Sequence, residues 1–145
     1  MKRILEDINS GSFRPVYVLY GQEVYLQKQY RDKLMNALVG DGDSMNVWHI
    51  HGKDYSIPQL IDFAETMPFL AERRVIILEG TGILKSGGEA LAEYFASPCD
   101  TTTWILVETE CDKRSKLFKA ADKAGLCIEF GAQDESTLKR WILGI

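Results

Sequence analysis

"VYVLYGQEVYLQKQYRDKLMNALV", residues 16–39, decides the fold. Its first five residues, Val16 to Tyr20, form an unbroken apolar run of β-branched and aromatic side chains. That is the pattern of a strand buried on both faces. Gly21 ends the run. From Val24 to Val39 the period becomes helical: Leu26, Tyr30, Leu34 and Leu38 recur every four residues, while Lys28, Arg31 and Lys33 point elsewhere. A strand with no polar face, a glycine, and then an amphipathic helix are the parts of a βα unit.

The same rhythm extends in both directions. Lys2 to Ile8 reads as a short helix before the first strand. Gly40-Asp41-Gly42-Asp43 breaks the chain. Asn46 to His51 alternates, as an outer strand does. Ser56 is a good N-cap, and Ile57, Leu60, Ile61 and Ala64 make one apolar stripe. Pro68 disfavours helix at the residue before it and should end that helix near Met67. Val75 to Leu78 is the third strand. Gly87-Gly88 precedes a helix over Glu89 to Ala96, which stops near Pro98. Thr102 to Val107 is the fourth strand, Ser115 to Lys123 a helix stopped by Gly125, and Leu126 to Phe130 the fifth strand. Ser136 to Leu143 begins another helix. Five strands alternating with helices predict an α/β fold: a parallel sheet covered on both faces through right-handed crossovers. Residues 1–145 make one domain, and 136–145 start a helix leading toward a further one.

Composition narrows the function. Of 145 residues, 46% are hydrophobic and 26% charged, an ordinary globular mix able to bury a core. The net charge of −4 gives no global signal for nucleic acid or an anionic membrane. Met1-Lys2-Arg3 opens an amphipathic segment rather than a signal-peptide core, and no apolar run nears the roughly 18 residues of a membrane span. Cys99, Cys111 and Cys127 are widely spaced and odd in number, which fits reduced thiols in the cytoplasm. There is no C-x-x-C pair. His49 and His51 share one face of a strand, the geometry of a metal pair or of two polar residues on a partly solvated strand.

The turn after the first strand is where an open α/β sheet places a ligand. A phosphate loop of the G-x-x-x-x-G-K-[ST] kind needs glycines so that backbone N–H groups can approach phosphates. It also needs Lys for the outer phosphates and a hydroxyl for magnesium. Here Gly21 stands alone. Leu26 takes the second glycine's place, Gln27 and Lys28 follow, and Glu23 repels phosphate. The third strand ends in Glu79 without a second acid, and G-x-G-x-x-G is absent. A lone carboxylate there reads as a solvated cap. His49 and His51 have no evident nucleophile or orienting acid. Asp100, Glu108, Glu110 and Asp112 read as a charged strand end. Lys113, Arg114, Lys116, Lys119 and Lys123 read as a solvated helix face, with a phosphate-contacting patch as the alternative. No cofactor and no catalytic or metal residue is expected.

One connector stands out. In "ETMPFLAERRVIILEG", residues 65–80, the apolar pair Phe69 and Leu70 lies between a helix and a strand, where chains usually run over the surface. Either the pair folds into the core or it is offered to a partner.

Together, "VYVLYG", the broken loop "GQEVYLQKQ", this connector, "TTWILVETECDKRSKLFKAADKAG", "CIEF" and "TLKRWI" resemble the N-terminal domain of the bacterial DNA polymerase III delta subunit family, from about Arg14 onward. The resemblance rests on the order and spacing of these segments. It implies the fold of the AAA+ class of ATPases without a working nucleotide site, and a non-catalytic clamp-loader role in DNA replication. In that family the segment before the third strand binds the sliding clamp, the beta subunit. It ends in an apolar pair that enters a pocket and helps open the ring. The matching residues are Glu65, Thr66, Met67, Pro68, Phe69 and Leu70, with Phe69 and Leu70 as the plug, Met67 beside them and Arg73 flanking. Arg74 is a second flanking cation for acidic groups on a partner. The family's leading Gln is Glu65 here, and the pair reads Phe-Leu. Each large side chain buried in such a pocket contributes roughly 1.5–3 kcal/mol, and Pro68 limits the loop's freedom. By the same resemblance, a lid and a collar domain follow. The collar joins the clamp-loader ATPase subunits, DNA is met only indirectly, and no membrane is involved. The alternatives are an unusual P-loop-type nucleotide enzyme, an α/β signalling module, or direct DNA binding through the Lys113–Lys123 face.

Overall fold

The computed structural model describes residues 2–39, 46–52, 55–66, 73–85, 88–98, 101–109 and 111–130. In chain order they form α1 (Lys2–Ser10), β1 (Val16–Tyr20), α2 (Val24–Val39), β2 (Val47–His51), α3 (Ile57–Glu65), β3 (Arg74–Glu79), α4 (Glu89–Phe95), β4 (Thr102–Glu108), α5 (Lys116–Ala124) and β5 (Leu126–Glu129). The five strands make one parallel sheet in the order β2-β3-β4-β1-β5. The expected α/β class and five-stranded parallel sheet are both present. The Gly40–Asp43 break, the segment Met67–Leu70 and the helix expected from Ser136 lie outside the described residues, as do Cys99, Asp100 and Glu110.

Strand composition follows position in the sheet. β1, β3 and β4 are inner strands, and every residue in them is buried. Their unbroken apolar runs are what a strand covered on both sides needs. β2 and β5 are the edges, and both carry exposed positions. One face packs on α1 and α2 through Ile4, Tyr17, Leu19, Tyr30, Leu34, Ile77 and Ile105. The other packs on α3, α4 and α5 through Val18, Leu60, Leu78, Leu91, Phe95, Trp104 and Leu117.

Two local details differ from the sequence expectation or explain it. Ser56 makes no side-chain cap bond to α3, which starts instead with Pro58 in its first turn. Proline has no N–H to satisfy there, so that cap is less needed. Ser115 does cap α5, its Oγ accepting from the Phe118 N–H at 3.1 Å. After α5, a Cβ on Gly125 would collide with the Val16 backbone carbonyl, so only glycine lets the α5–β5 turn pass this close to β1.

Candidate functional site at the carboxyl ends of the strands

The loop after β1 is tied down by its own chain. Gly21 has φ +118°, and a Cβ there would lie 2.5 Å from the Phe130 carbonyl oxygen. The Gly21 N–H donates to the Glu108 carbonyl at 3.3 Å, and the Glu23 N–H to the Phe130 carbonyl at 2.9 Å. Gln27, wholly buried in the first turn of α2, donates from Nε2 to the Gly21 carbonyl at 2.8 Å. A phosphate loop holds its ligand with backbone N–H groups such as these. Here two of them face protein carbonyls. The sequence marks Gln27 only as a departure from a phosphate loop, not as the buried residue that ties this loop down. It was a polar residue at a position the helical period leaves ambiguous.

Glu79, at the end of β3, is not a solvated cap. It is 6% exposed, accepts a hydrogen bond from the Arg31 guanidinium of α2, and pairs with His49 Nε2 at 2.7 Å. His51 Nδ1 lies 3.8 Å from its other oxygen, and the two imidazoles stand 4.2 Å apart, centre to centre. β2 and β3 are paired with His51 opposite Glu79, so all three side chains face the α2 side. The acid that the histidines lacked in sequence comes from the neighbouring strand. Burial pushes the Glu79 carboxyl up, but the Arg31 and His49 hydrogen bonds outweigh it and hold its pKa below the ordinary value. Burial lowers His49, with Glu79 opposing. A cavity of about 250 Å³ opens beside them, lined by Val24, Gln27, Lys28, His51, Glu79 and Thr109 among others.

Glu108, at the end of β4, is likewise not part of an exposed acidic end. It is 2% exposed, and its Oε1 accepts from the Thr81 N–H at 3.0 Å and from the Thr81 hydroxyl. Asp112 belongs to a different local set, accepting from the Arg114 N–H at 2.9 Å. The basic residues Lys113, Arg114, Lys116, Lys119 and Lys123 are all exposed, with Lys113 3.7 Å from Glu129 and over the Tyr20 ring.

The described flanks of the connector, Glu65, Thr66, Arg73 and Arg74, lie at the opposite end of the sheet. Glu65 and Thr66 finish α3, which is pinned near the start of β4 by the Thr102 hydroxyl donating to the Ala64 carbonyl at 2.7 Å. Arg73 places its guanidinium 5.6 Å from the Phe13 ring centre. Arg74 is 8% exposed and stacks on Phe63 at 4.4 Å, so it belongs to the fold rather than to a partner-facing pair with Arg73. Met67, Pro68, Phe69 and Leu70 lie outside the described residues. Glu65, Thr66 and Arg73 are therefore a separate place on the molecule from the Glu79 cluster.

Residues 17–131, which carry the whole sheet apart from the first residue of β1, match the family model described as DNA polymerase III, delta subunit. The chain belongs to that family. The delta subunit of DNA polymerase III from Bacillus subtilis (strain 168) is 30% identical over 138 residues, spanning 87% of this chain and 40% of that protein. The solved structure of the Bacillus subtilis DNA clamp loader delta protein superposes with a TM-score of 0.84 at 25% identity, over 99% of this chain and 46% of that one. A Thermotoga maritima protein related to the DNA polymerase III gamma subunit shares the fold, with a TM-score of 0.65 at 13% identity over 95% of this chain and 49% of that one. This delta-family chain thus spans less than half the length of these relatives. Among the described residues, no helix is long and apolar enough to cross a membrane.

The buried Glu108 of this delta-family domain gives a pH prediction. Burial raises its pKa above the ordinary 4.5, and the Thr81 bonds oppose part of that rise. The fold therefore favours the protonated acid, and stability is lost as pH rises from the unfolded value through the folded one. Glu108→Gln keeps the shape and an acceptor for Thr81. It is expected to melt above the wild type near pH 8, with the gap closing by about pH 4. Thermal melts at the two pH values check this, and an equal gap at both would refute it.

Proposed function

We propose that this chain is the clamp-binding, non-catalytic part of a clamp-loader delta subunit. It captures the beta sliding clamp through residues 65–73, with Phe69 and Leu70 as the plug, Met67 and Pro68 supporting them, and Glu65, Thr66 and Arg73 flanking. Membership of the delta family carries this reading. The tied-down loop of Gly21, Glu23 and Gln27 supports the non-catalytic half of it: two N–H groups that would hold phosphate are spent on Glu108 and Phe130. The placement of Glu65, Thr66 and Arg73 at the other end of the sheet fits a partner surface independent of a nucleotide site. The clamp-loader ATPase subunits would be met through the collar domain that the family resemblance implies, DNA only indirectly, and the setting is the cytoplasm.

Two large apolar anchors in one pocket contribute roughly 1.5–3 kcal/mol each, with association costs offsetting part of that. Titration calorimetry against the cognate clamp is expected to show binding that weakens at least tenfold in Phe69→Ala/Leu70→Ala, about 1.4 kcal/mol or more. Circular dichroism should show the variant still folded. A folded double variant that binds as tightly as the wild type would remove this assignment.

A further inference from the structure

The Glu79 cluster is not among the residues proposed above for clamp capture, and this inference does not rest on that reading. The ligating atoms of His49, His51 and Glu79 all lie within 4.8 Å of one another. We propose that these three residues form a binding site for one transition-metal dication of the zinc type, at the outer edge of the sheet.

The argument starts from the strand. Residues two apart on β2 share a face, so His49 and His51 reach the same side, and the parallel register sets Glu79 directly beside His51. β2 is an edge strand, so water and ions reach the cluster. The His51 side chain is 66% exposed and able to swing inward. Zinc bonds of about 2.0–2.2 Å in a tetrahedron put neighbouring ligand atoms about 3.3–3.6 Å apart. The observed 2.7 Å from His49 to one Glu79 oxygen and 3.8 Å from His51 to the other lie on either side of that spacing. Small rotations of the two rings would therefore let a dication replace the present His49–Glu79 bond. The adjoining cavity leaves an open side for a fourth, water ligand.

The chemistry of the donors chooses the ion. Two imidazoles and one carboxylate suit zinc, copper or nickel, whereas magnesium and calcium want oxygen ligands throughout. Arg31 has two effects. Its positive charge opposes a cation and weakens binding, yet its hydrogen bond fixes the Glu79 carboxylate, as outer partners do in metal sites. Nearby Lys28, also lining the cavity, adds to the opposition.

The test uses the untagged chain and zinc competed against a chromogenic chelator, with cobalt as a spectroscopic stand-in. The expected result is one zinc per chain, weakened at least tenfold in His49→Ala/His51→Ala, and unaffected by excess magnesium. Cobalt should give ligand-field bands without a thiolate charge-transfer band. His49→Ala also removes a hydrogen bond to Glu79, so the metal-free variant is expected to melt below the wild type while staying folded, which circular dichroism checks before the zinc titration. The proposal falls if the wild type takes up no stoichiometric zinc. It falls equally if the double variant binds as tightly, or if cobalt shows thiolate ligation, which would place the metal on Cys111 or another thiol. Clamp titration of the same variant should be unchanged, so failure here and failure of the clamp assignment are distinguishable.

Discussion

Trp104→Ala is expected to lower the unfolding free energy by about 3–5 kcal/mol, a large share of the roughly 5–15 kcal/mol that holds a domain together. Trp104 is wholly buried in β4, paired with Val16 of β1 on one side and Ile76 of β3 on the other. Its ring meets Phe95 edge-on at 5.4 Å and Tyr94 at 5.9 Å, both on α4. The side chain is therefore one of the contacts through which the middle of the sheet holds that helix. Alanine would leave a cavity there that neighbouring strands, fixed by their ladders, cannot close. Trp104→Phe separates volume from polarity. The Trp104 indole N–H is buried without an acceptor. Phenylalanine removes that uncompensated donor while keeping an aromatic ring, so its loss should be less than half that of alanine. Urea unfolding of both variants decides it. Equal losses would mean that filling the space is not what Trp104 contributes.

The backbone plan was legible because it depends on local periods. The change from an unbroken apolar run to a four-residue repeat at Gly21 marks β1 and α2 at the bounds observed. Alternation marked β2 as an edge, and β2 does form one edge of the sheet. The polar interior was not legible, because its partners are distant in sequence. Glu79 finds Arg31 48 residues earlier, and Glu108 finds Thr81 27 residues earlier. Read singly, each acid looks like a solvated strand end. Only the strand order and the packing of α2 show that they are buried and paired. Gln27 was hidden for the same reason, its partner being a loop carbonyl rather than a side chain. The connector presents the reverse case. Phe69 and Leu70 were conspicuous in sequence because an apolar pair broke the polar habit of loops.

The pairing of Arg31 with Glu79 carries the second large prediction. Arg31→Leu is expected to destabilise the fold by about 3 kcal/mol, the lower end for removing one partner of a buried ion pair. Glu79 is nearly buried at the end of β3, and the guanidinium is its main compensation. His49 remains in the variant, which places the loss at the lower end rather than the upper. Glu79→Leu on the wild-type background should also cost stability, since among the described residues Arg31 keeps the exposed Asp32 as its one carboxylate partner. The double variant Arg31→Leu/Glu79→Leu removes both charges and puts apolar side chains between α2 and the β2–β3 edge. It should recover most of the loss, because a desolvated pair of charges is often no more stabilising than the apolar groups that replace it. His49, on the solvated edge, can then turn to water. Urea unfolding of the four proteins closes a double-mutant cycle. Coupling of about 2 kcal/mol or more would fit a charge pair that matters because each partner neutralises the other. Additive losses would mean that Arg31 stabilises α2 by its apolar stem alone, and that Glu79 is satisfied without it.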